Sequence, residues 1–181
     1  FIHISHKKKI LENQKKFIEL IIKNGCKNLI IAGTCYEYGL ISGKIKESFK
    51  CKPACHYGSG KNSLRKFIFS LQRKYKFKLT WLRIFYIYGK NPSRNTLTNI
   101  LLKNKKTDKP IILNRKIKRD YVDIKVVSNT FVKILKKDKN YGVINLSSGR
   151  KVSLKELVKF LSKKYKINPS VKYKDTLQRS F

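Results

Sequence analysis

Apolar residues recur at helical spacing at Ile10, Phe17, Ile18, Ile21 and Ile22, and the run halts at Asn24 and Gly25. Both of those residue types tolerate the left-handed backbone that closes a helix, so the pattern predicts an amphipathic helix ending there. Upstream, Ile2 to Ile4 alternates like the end of a strand. A continuous apolar run from Leu29 to Ala32 predicts a buried strand. Leu64, Phe67, Ile68 and Leu71 mark a second amphipathic helix, and Leu79 to Ile84 reads as a further strand. Strand, helix, strand, helix, strand in this order argues for an α/β fold, a parallel sheet with right-handed crossovers and helices on its faces.

Beyond Tyr88 and Gly89 the periodicity loosens. It predicts a helix near Leu97 to Leu102, a short strand at Ile111 to Leu113, a helix around Val126 to Leu135 and a strand at Val143 to Leu146. "SLKE", Ser153 to Glu156, has the spacing of a capping box and opens a helix through Leu161. The expected organisation is a sheet domain over residues 1–90 and a mixed lobe over 91–181, with some of its segments returning to the sheet.

At 181 residues the chain fits one domain or most of one, and because it starts at Phe1 and contains no methionine it reads as a piece of a longer protein. No apolar run approaches the roughly 18 residues of a membrane span and no stretch resembles a signal peptide, so the expectation is a soluble, cytoplasmic protein with no membrane partner. The formal net charge of +34 invites a nucleic-acid reading. Lysine outnumbers arginine 36 to 8, however, and the lysines are spread over every segment. Base recognition leans on the planar fork of arginine, so a specific nucleic-acid partner is not expected. Cys51, Cys55 and His56 lie close together but lack a second ligand pair, and free thiols are expected in place of a metal site.

The chemistry starts at "AGTCYEYG", residues 32–39, where an apolar strand turns abruptly small and polar. A plain turn explains glycine and threonine there, but the carboxyl end of a parallel strand is also where open α/β sheets face a ligand crevice. "YGSGK", Tyr57 to Lys61, opens the second helix. A tyrosine and a lysine four residues apart share one helical face, so the ammonium is expected to sit beneath the phenol and lower its pKa toward a usable acid or base. Tyr86/Lys90 and Tyr121/Lys125 have the same spacing. Only the first pair follows the Thr34 strand by one loop, which lets Thr34 and Tyr57 converge on one substrate oxygen.

With these motifs in hand the chain resembles the extended short-chain dehydrogenase/reductases, the NAD-dependent epimerase/dehydratase group that acts on nucleotide sugars. "FIHIS" is similar to the strand ending in a His-Leu-Ala type stretch, and Asn13 matches the asparagine of the helix that follows. "GTCYEYG" matches the Ser-Ser-x-x-x-Tyr-Gly strand end, with Thr34 at the catalytic hydroxyl. "ESFKCKPACHYGSGK" matches the glutamate, proline and Tyr-x-x-x-Lys segment. "LRIFYIYG" resembles Leu-Arg-x-x-Asn-x-Tyr-Gly, "RDYVDI" the Arg-Asp-Tyr/Phe-Val motif, and "VINLSSGRKVSLKEL" the Tyr-Asn-x-Gly-x-Gly region.

The resemblance implies a Rossmann-like doubly wound parallel sheet, N-terminally truncated, with a small C-terminal substrate lobe. It implies NAD or NADP as cofactor, held in part by Tyr57, Lys61 and Phe85, and a nucleotide-sugar substrate met by Thr34, Tyr86 and Arg119. Thr34, Tyr57 and Lys61 carry catalysis, Arg119 clamps a diphosphate, Arg83 anchors structure, Tyr38 packs, and a homodimer is compatible. The Gly-x-Gly-x-x-Gly phosphate loop of the group should precede Phe1, so the chain alone is expected not to hold NAD. Tyr86 stands where the group has asparagine, and His56 stands where a proline often precedes the catalytic tyrosine; His56 is read as loop packing. The rival readings are a catalytically silent remnant or binding module of the same fold and, behind it, a basic nucleic-acid binder.

Overall fold

A computed structural model describes residues 4–89, 96–104 and 110–175. In chain order its elements are α1 (Ile4–Lys23), β1 (Asn28–Thr34), a 3-10 turn (Cys35–Glu37), α2 (His56–Lys74), β2 (Lys78–Ile84), β3 (Tyr86–Tyr88), α3 (Leu97–Asn104), β4 (Ile111–Asn114), β5 (Lys118–Asp123), α4 (Ile124–Lys137), β6 (Gly142–Leu146), β7 (Lys151–Ser153), α5 (Leu154–Tyr165) and β8 (Val171–Lys174). They fall into two compact units, Phe1–Phe85 with Asn129–Leu146, and Tyr86–Ser128 with Ser147–Phe181.

The first unit is built on a parallel sheet in the order β1-β2-β6. Its register runs from Asn28 opposite Lys78 to Thr34 opposite Ile84, and from Thr80 opposite Gly142 to Ile84 opposite Leu146. Leu79, Thr80, Trp81, Leu82 and Arg83 are all buried, as befits a middle strand paired on both edges and covered on its faces. One apolar cluster joins Ile18 and Ile22 of α1 to Leu64, Ile68 and Leu71 of α2 and to Phe77, Leu79 and Trp81. These are the helical positions that the spacing predicts. At the amino ends of the strands, Asp138 takes a hydrogen bond from Asn28 Nδ2 at 2.9 Å and a salt bridge from Lys78. Asn140 Oδ1 accepts from the Leu79 N–H at 3.2 Å, so the turn into β6 is tied to its neighbours.

Ile4 lies in α1 and not in a strand, and Ile2 and His3 fall outside the described residues. The first predicted strand is therefore absent from the described chain. Ile4 takes helical backbone with the rest of α1, whose sequence ISHKKKILENQKK has no Gly or Pro to interrupt it.

The second unit holds three short ladders. β3 runs parallel to β5, β5 antiparallel to β7, and β4 parallel to β8. Leu101 of α3 joins Leu157, Val158 and Leu161 of α5 and Ile167 in its core. The predicted capping box is present. Ser153 Oγ accepts from the Glu156 N–H at 3.2 Å, and Glu156 Oε2 accepts from the Ser153 N–H at 2.8 Å. Lys166 then closes α5 in the left-handed conformation, at φ 52°.

Candidate active site

β1 ends where its backbone has to pass close beneath other groups. A Cβ on Gly33 would collide with the Trp81 indole and stand 2.7 Å from Glu37 Oε1, so only glycine fits. Thr34 follows at 5% exposure and caps the 3-10 turn. Its Oγ1 accepts from the Tyr36 N–H at 3.4 Å, and its own N–H donates to Glu37 Oε1 at 2.9 Å. The turn-forming reading of this threonine is therefore met. Its accepting side is occupied by main chain, and what it can offer a ligand is its O–H.

The loop 39–55 is latched to the strand ends. Gly39 turns it with φ +81°, and a side chain there would strike the Lys52 main chain. Arg83, at 2% exposure, donates to Glu37 Oε2 at 3.0 Å, to the Tyr38 hydroxyl at 2.6 Å and to the Glu47 carbonyl at 3.1 Å, and lies 2.9 Å from Cys51 Sγ. Tyr38 in turn donates to Asn145 Oδ1 at 2.7 Å, while Asn145 donates its N–H to Glu47 Oε1 at 2.9 Å and its amide to the Ile45 carbonyl at 3.0 Å. Arg83 therefore anchors structure, and Tyr38 does more than pack. Burial pushes the Tyr38 phenol up, against the pull of Arg83 and Asn145. All four cysteines are unbridged.

The loop delivers α2. Cys55 caps it by accepting from the Gly58 N–H at 3.4 Å, and Gly58 lies so close to the Tyr36 carbonyl that any side chain would clash. Tyr57 stands edge-on to the Tyr36 ring, centroids 6.2 Å apart, and keeps 57% of its surface exposed. One turn on, Lys61 Nζ donates to the Ala32 carbonyl at 2.9 Å. Ala32 and Tyr36 flank Thr34 by two residues on either side, so the Tyr57/Lys61 face of α2 runs along the segment that carries Thr34.

One expectation is corrected by this geometry. The Lys61 ammonium is turned to main chain, and the Tyr57 phenol is raised above its ordinary value, by burial first and then by its neighbours Cys35, Glu37, Tyr36 and Cys55. Lys61 is lowered, because burial outweighs the attraction of Glu37. His56 is also corrected. It is the exposed first residue of α2 and does not pack in the loop.

Phe85 is half-buried and donates its N–H to the Leu146 carbonyl at 3.0 Å. In the second unit, the Arg119 guanidinium stacks 4.2 Å above the Tyr86 ring, which meets Tyr121 at 5.8 Å. Beside them, Asp120 accepts from the N–H groups of Ser148 and Gly149 at 2.7 and 2.8 Å, fixing the RDYV segment. Of the two other Tyr/Lys pairs, Lys90 falls outside the described residues. Tyr121 and Lys125 lie on different elements, β5 and α4. Among the described residues no three His, Cys, Asp or Glu side chains cluster as metal ligands, and no helix is long and apolar enough to cross a membrane.

Residues 8–147 match the NAD dependent epimerase/dehydratase family. The chain belongs to that family. Among relatives of this epimerase/dehydratase chain, dTDP-6-deoxy-L-talose 4-dehydrogenase (NAD(+)) of Aggregatibacter actinomycetemcomitans is 30% identical over 98% of the chain and 66% of its own length. UDP-N-acetylglucosamine 4-epimerase from Methanobrevibacter ruminantium, solved with UDP-N-acetylmuramic acid, superposes with a TM-score of 0.78 at 20% identity, covering 98% of this chain and 57% of that one. UDP-glucuronic acid 4-epimerase from Bacillus cereus, solved with UDP-glucuronic acid and NAD, gives 0.74 at 22%, covering 96% and 55%. The chain thus spans between about half and two thirds of these relatives.

Three residues that hold the strand ends and the loop in place escape sequence reasoning. Glu37 was legible in principle. An arginine inside the apolar run "LTWLRIF" demands a buried acid, and "GTCYEYG" puts one at a strand end. Asn145 and Tyr36 carry no such signal, because their roles depend on how the loop and the 3-10 turn fold.

Proposed function

We propose that this chain carries the acid–base centre of an NAD(P)-dependent oxidoreduction at a hydroxyl of a nucleotide sugar, the step on which epimerases, dehydratases and dehydrogenases of the family are built. The observation that carries the reading is the alignment of one exposed phenol, one half-buried ammonium and one threonine hydroxyl along residues 32–36. These groups fit the nicotinamide riboside end of the cofactor. Tyr57 keeps more than half of its surface exposed, and the Lys61 ammonium keeps donors beyond the one spent on Ala32. When bound, the cofactor takes up the hydride. Tyr57, as phenolate, removes the hydroxyl proton, Lys61 holds the ribose side, and Thr34 donates its O–H to the reacting oxygen. Phe85 is assigned to the cofactor, and Tyr86 and Arg119 to the substrate, where a guanidinium suits a diphosphate.

Because the chain alone is expected not to hold NAD or to turn over, the test uses it with a dinucleotide-binding glycine loop of the family supplied ahead of Phe1, NAD or NADP, and a panel of dTDP- and UDP-hexoses, with formation of reduced nicotinamide followed by absorbance. Tyr57→Phe should lower turnover by about 10²–10⁴-fold with cofactor affinity retained. Turnover unchanged in that variant sinks the assignment of Tyr57. A wild-type chain that binds cofactor and sugar yet turns over none of the panel is instead a silent member of the fold.

A further inference from the structure

A carboxylate that the proposed chemistry does not use lies directly beneath Thr34. Glu37 has no exposed surface. Its Oε1 accepts from the Thr34 N–H and from the Trp81 indole N–H, both at 2.9 Å, and its Oε2 accepts from Arg83 Nε at 3.0 Å. Arg65 Nε stands 3.6 Å away. Two routes lead from this one side chain into the site. The first is the bond to the main chain of Thr34. The second passes through Arg83, which grips the loop at Tyr38, Glu47 and Cys51, four residues before the cap that starts α2.

We infer that Glu37 is a positioning residue, fixing the end of β1 at Thr34 and, through Arg83, the entry of the helix that carries Tyr57 and Lys61. The catalytic meaning of the inference rests on the function proposed above; its geometry does not. A buried ion pair is a weak source of net stability, but its bonds are directional, and a network satisfied on every side selects one arrangement. An apolar side chain at position 37 would fill the space without holding Thr34 to Trp81 and Arg83. Glutamine shows what the charge does. Its amide must point an NH₂ either at Arg83 or at the Thr34 and Trp81 donors, so Glu37→Gln loses at least one bond with almost no change of shape.

The experiment is amide hydrogen exchange and tyrosine titration by NMR on the full 181-residue chain, with ¹³Cζ-labelled tyrosine and the Tyr57 signal assigned by its loss in Tyr57→Phe. Glu37→Gln should speed exchange at the Thr34 amide by about tenfold relative to the Leu82 amide in the middle strand, the loss of one bond to a charged acceptor. The titration midpoint of Tyr57, which faces Cys35, Tyr36, Glu37, Cys55 and its helix neighbour Lys61, should move to lower pH. Glu12→Gln, which removes an exposed carboxylate of α1 paired only with Lys15, should leave both readouts in place. A merely structural role instead accelerates Thr34 and Leu82 together, which overturns the inference.

Should Glu37→Gln not fold, Arg83→Lys tests the two routes separately. The Thr34 amide stays protected while the Tyr36–Tyr57 ring contact is lost. In the wild type, fast exchange of the single indole N–H would by itself sink the proposal. Neither NAD nor sugar enters these measurements, so they succeed or fail independently of the turnover assay.

Discussion

Arg83, between Leu82 and Ile84, places a guanidinium where water cannot reach it, and Glu37 answers that charge. Burial works against the cation, but the bonds to Glu37 and Tyr38 outweigh it and hold Arg83 above its ordinary value. Removing one member of such a pair is worse than removing both. Arg83→Ala should cost about 3–5 kcal/mol in urea unfolding, whereas Glu37→Leu with Arg83→Met should recover most of it. Equal losses in the two constructions would show that Glu37 does not depend on Arg83. The raised Tyr57 phenol carries a second expectation. If it must be ionised to accept a proton, oxidation of the sugar speeds up as pH rises through the alkaline range and reduction slows. A wild-type oxidation rate that is flat above neutrality contradicts this role. The places of Thr34 at a strand end and of Tyr57 and Lys61 on one face of a helix were legible in the sequence, because an apolar run ends at the first and a four-residue spacing joins the other two. The direction taken by the Lys61 ammonium was not readable, since it depends on where the Ala32 carbonyl lies in space. The pairing of Arg83 with Glu37, 46 residues apart, was legible only as a demand for a buried acid near a strand end, because ten acidic residues compete for that place.

At its first turn helix α2 comes close to the Tyr36 carbonyl through Gly58, which has no side chain to hold it off, and that approach sets the height of Tyr57 next to it. Gly58→Ala should therefore cost about 1–3 kcal/mol and disturb Tyr57 more than any exposed substitution on the same helix. Chemical denaturation together with the Tyr57 NMR signal checks both parts; a neutral effect would mean that the helix can slide. In α5, Ser153→Ala removes the cap and should cost about 1 kcal/mol. Asp123 joins Lys164 at 2.7 Å and the Lys125 N–H at 2.9 Å. Burial pulls its carboxyl up, but these bonds prevail and hold it below the usual range. A carboxyl lowered on folding stabilises above its unfolded pKa and loses that contribution as pH falls through the folded one. Asp123→Asn should accordingly flatten the loss of melting temperature below about pH 4; an unchanged acid limb would assign the loss to other carboxyls. The helices were legible because their apolar stripes are long and periodic. β3, β5, β7 and β8 were not, being only three to six residues long, and the last three are interspersed with lysine, so that pairing partners rather than sequence pattern make them strands.

Across the whole molecule, 44 cationic residues face 10 acidic ones, and most of the excess has no counter-charge to meet. Self-repulsion of this size opposes compaction, and salt shortens its range to about 10 Å at 0.1 M. The melting temperature should climb as sodium chloride is raised from about 0.01 to 0.3 M, against the usual direction for a protein held by surface ion pairs. A fall would show that pairs such as Lys164–Asp123 dominate the balance. The sheet order carries a consequence for how the protein is made. β2 has β1 beside it as soon as both have left the ribosome, but its other edge waits for β6, which is synthesised only after all of Tyr86–Ser128. At translation speeds of about 5–20 residues per second, the nascent chain carries an unpaired edge on its most apolar strand for on the order of 3–10 s. That edge, already flanked by the buried Trp81 and Leu82, is the segment of this protein that a chaperone has most reason to hold.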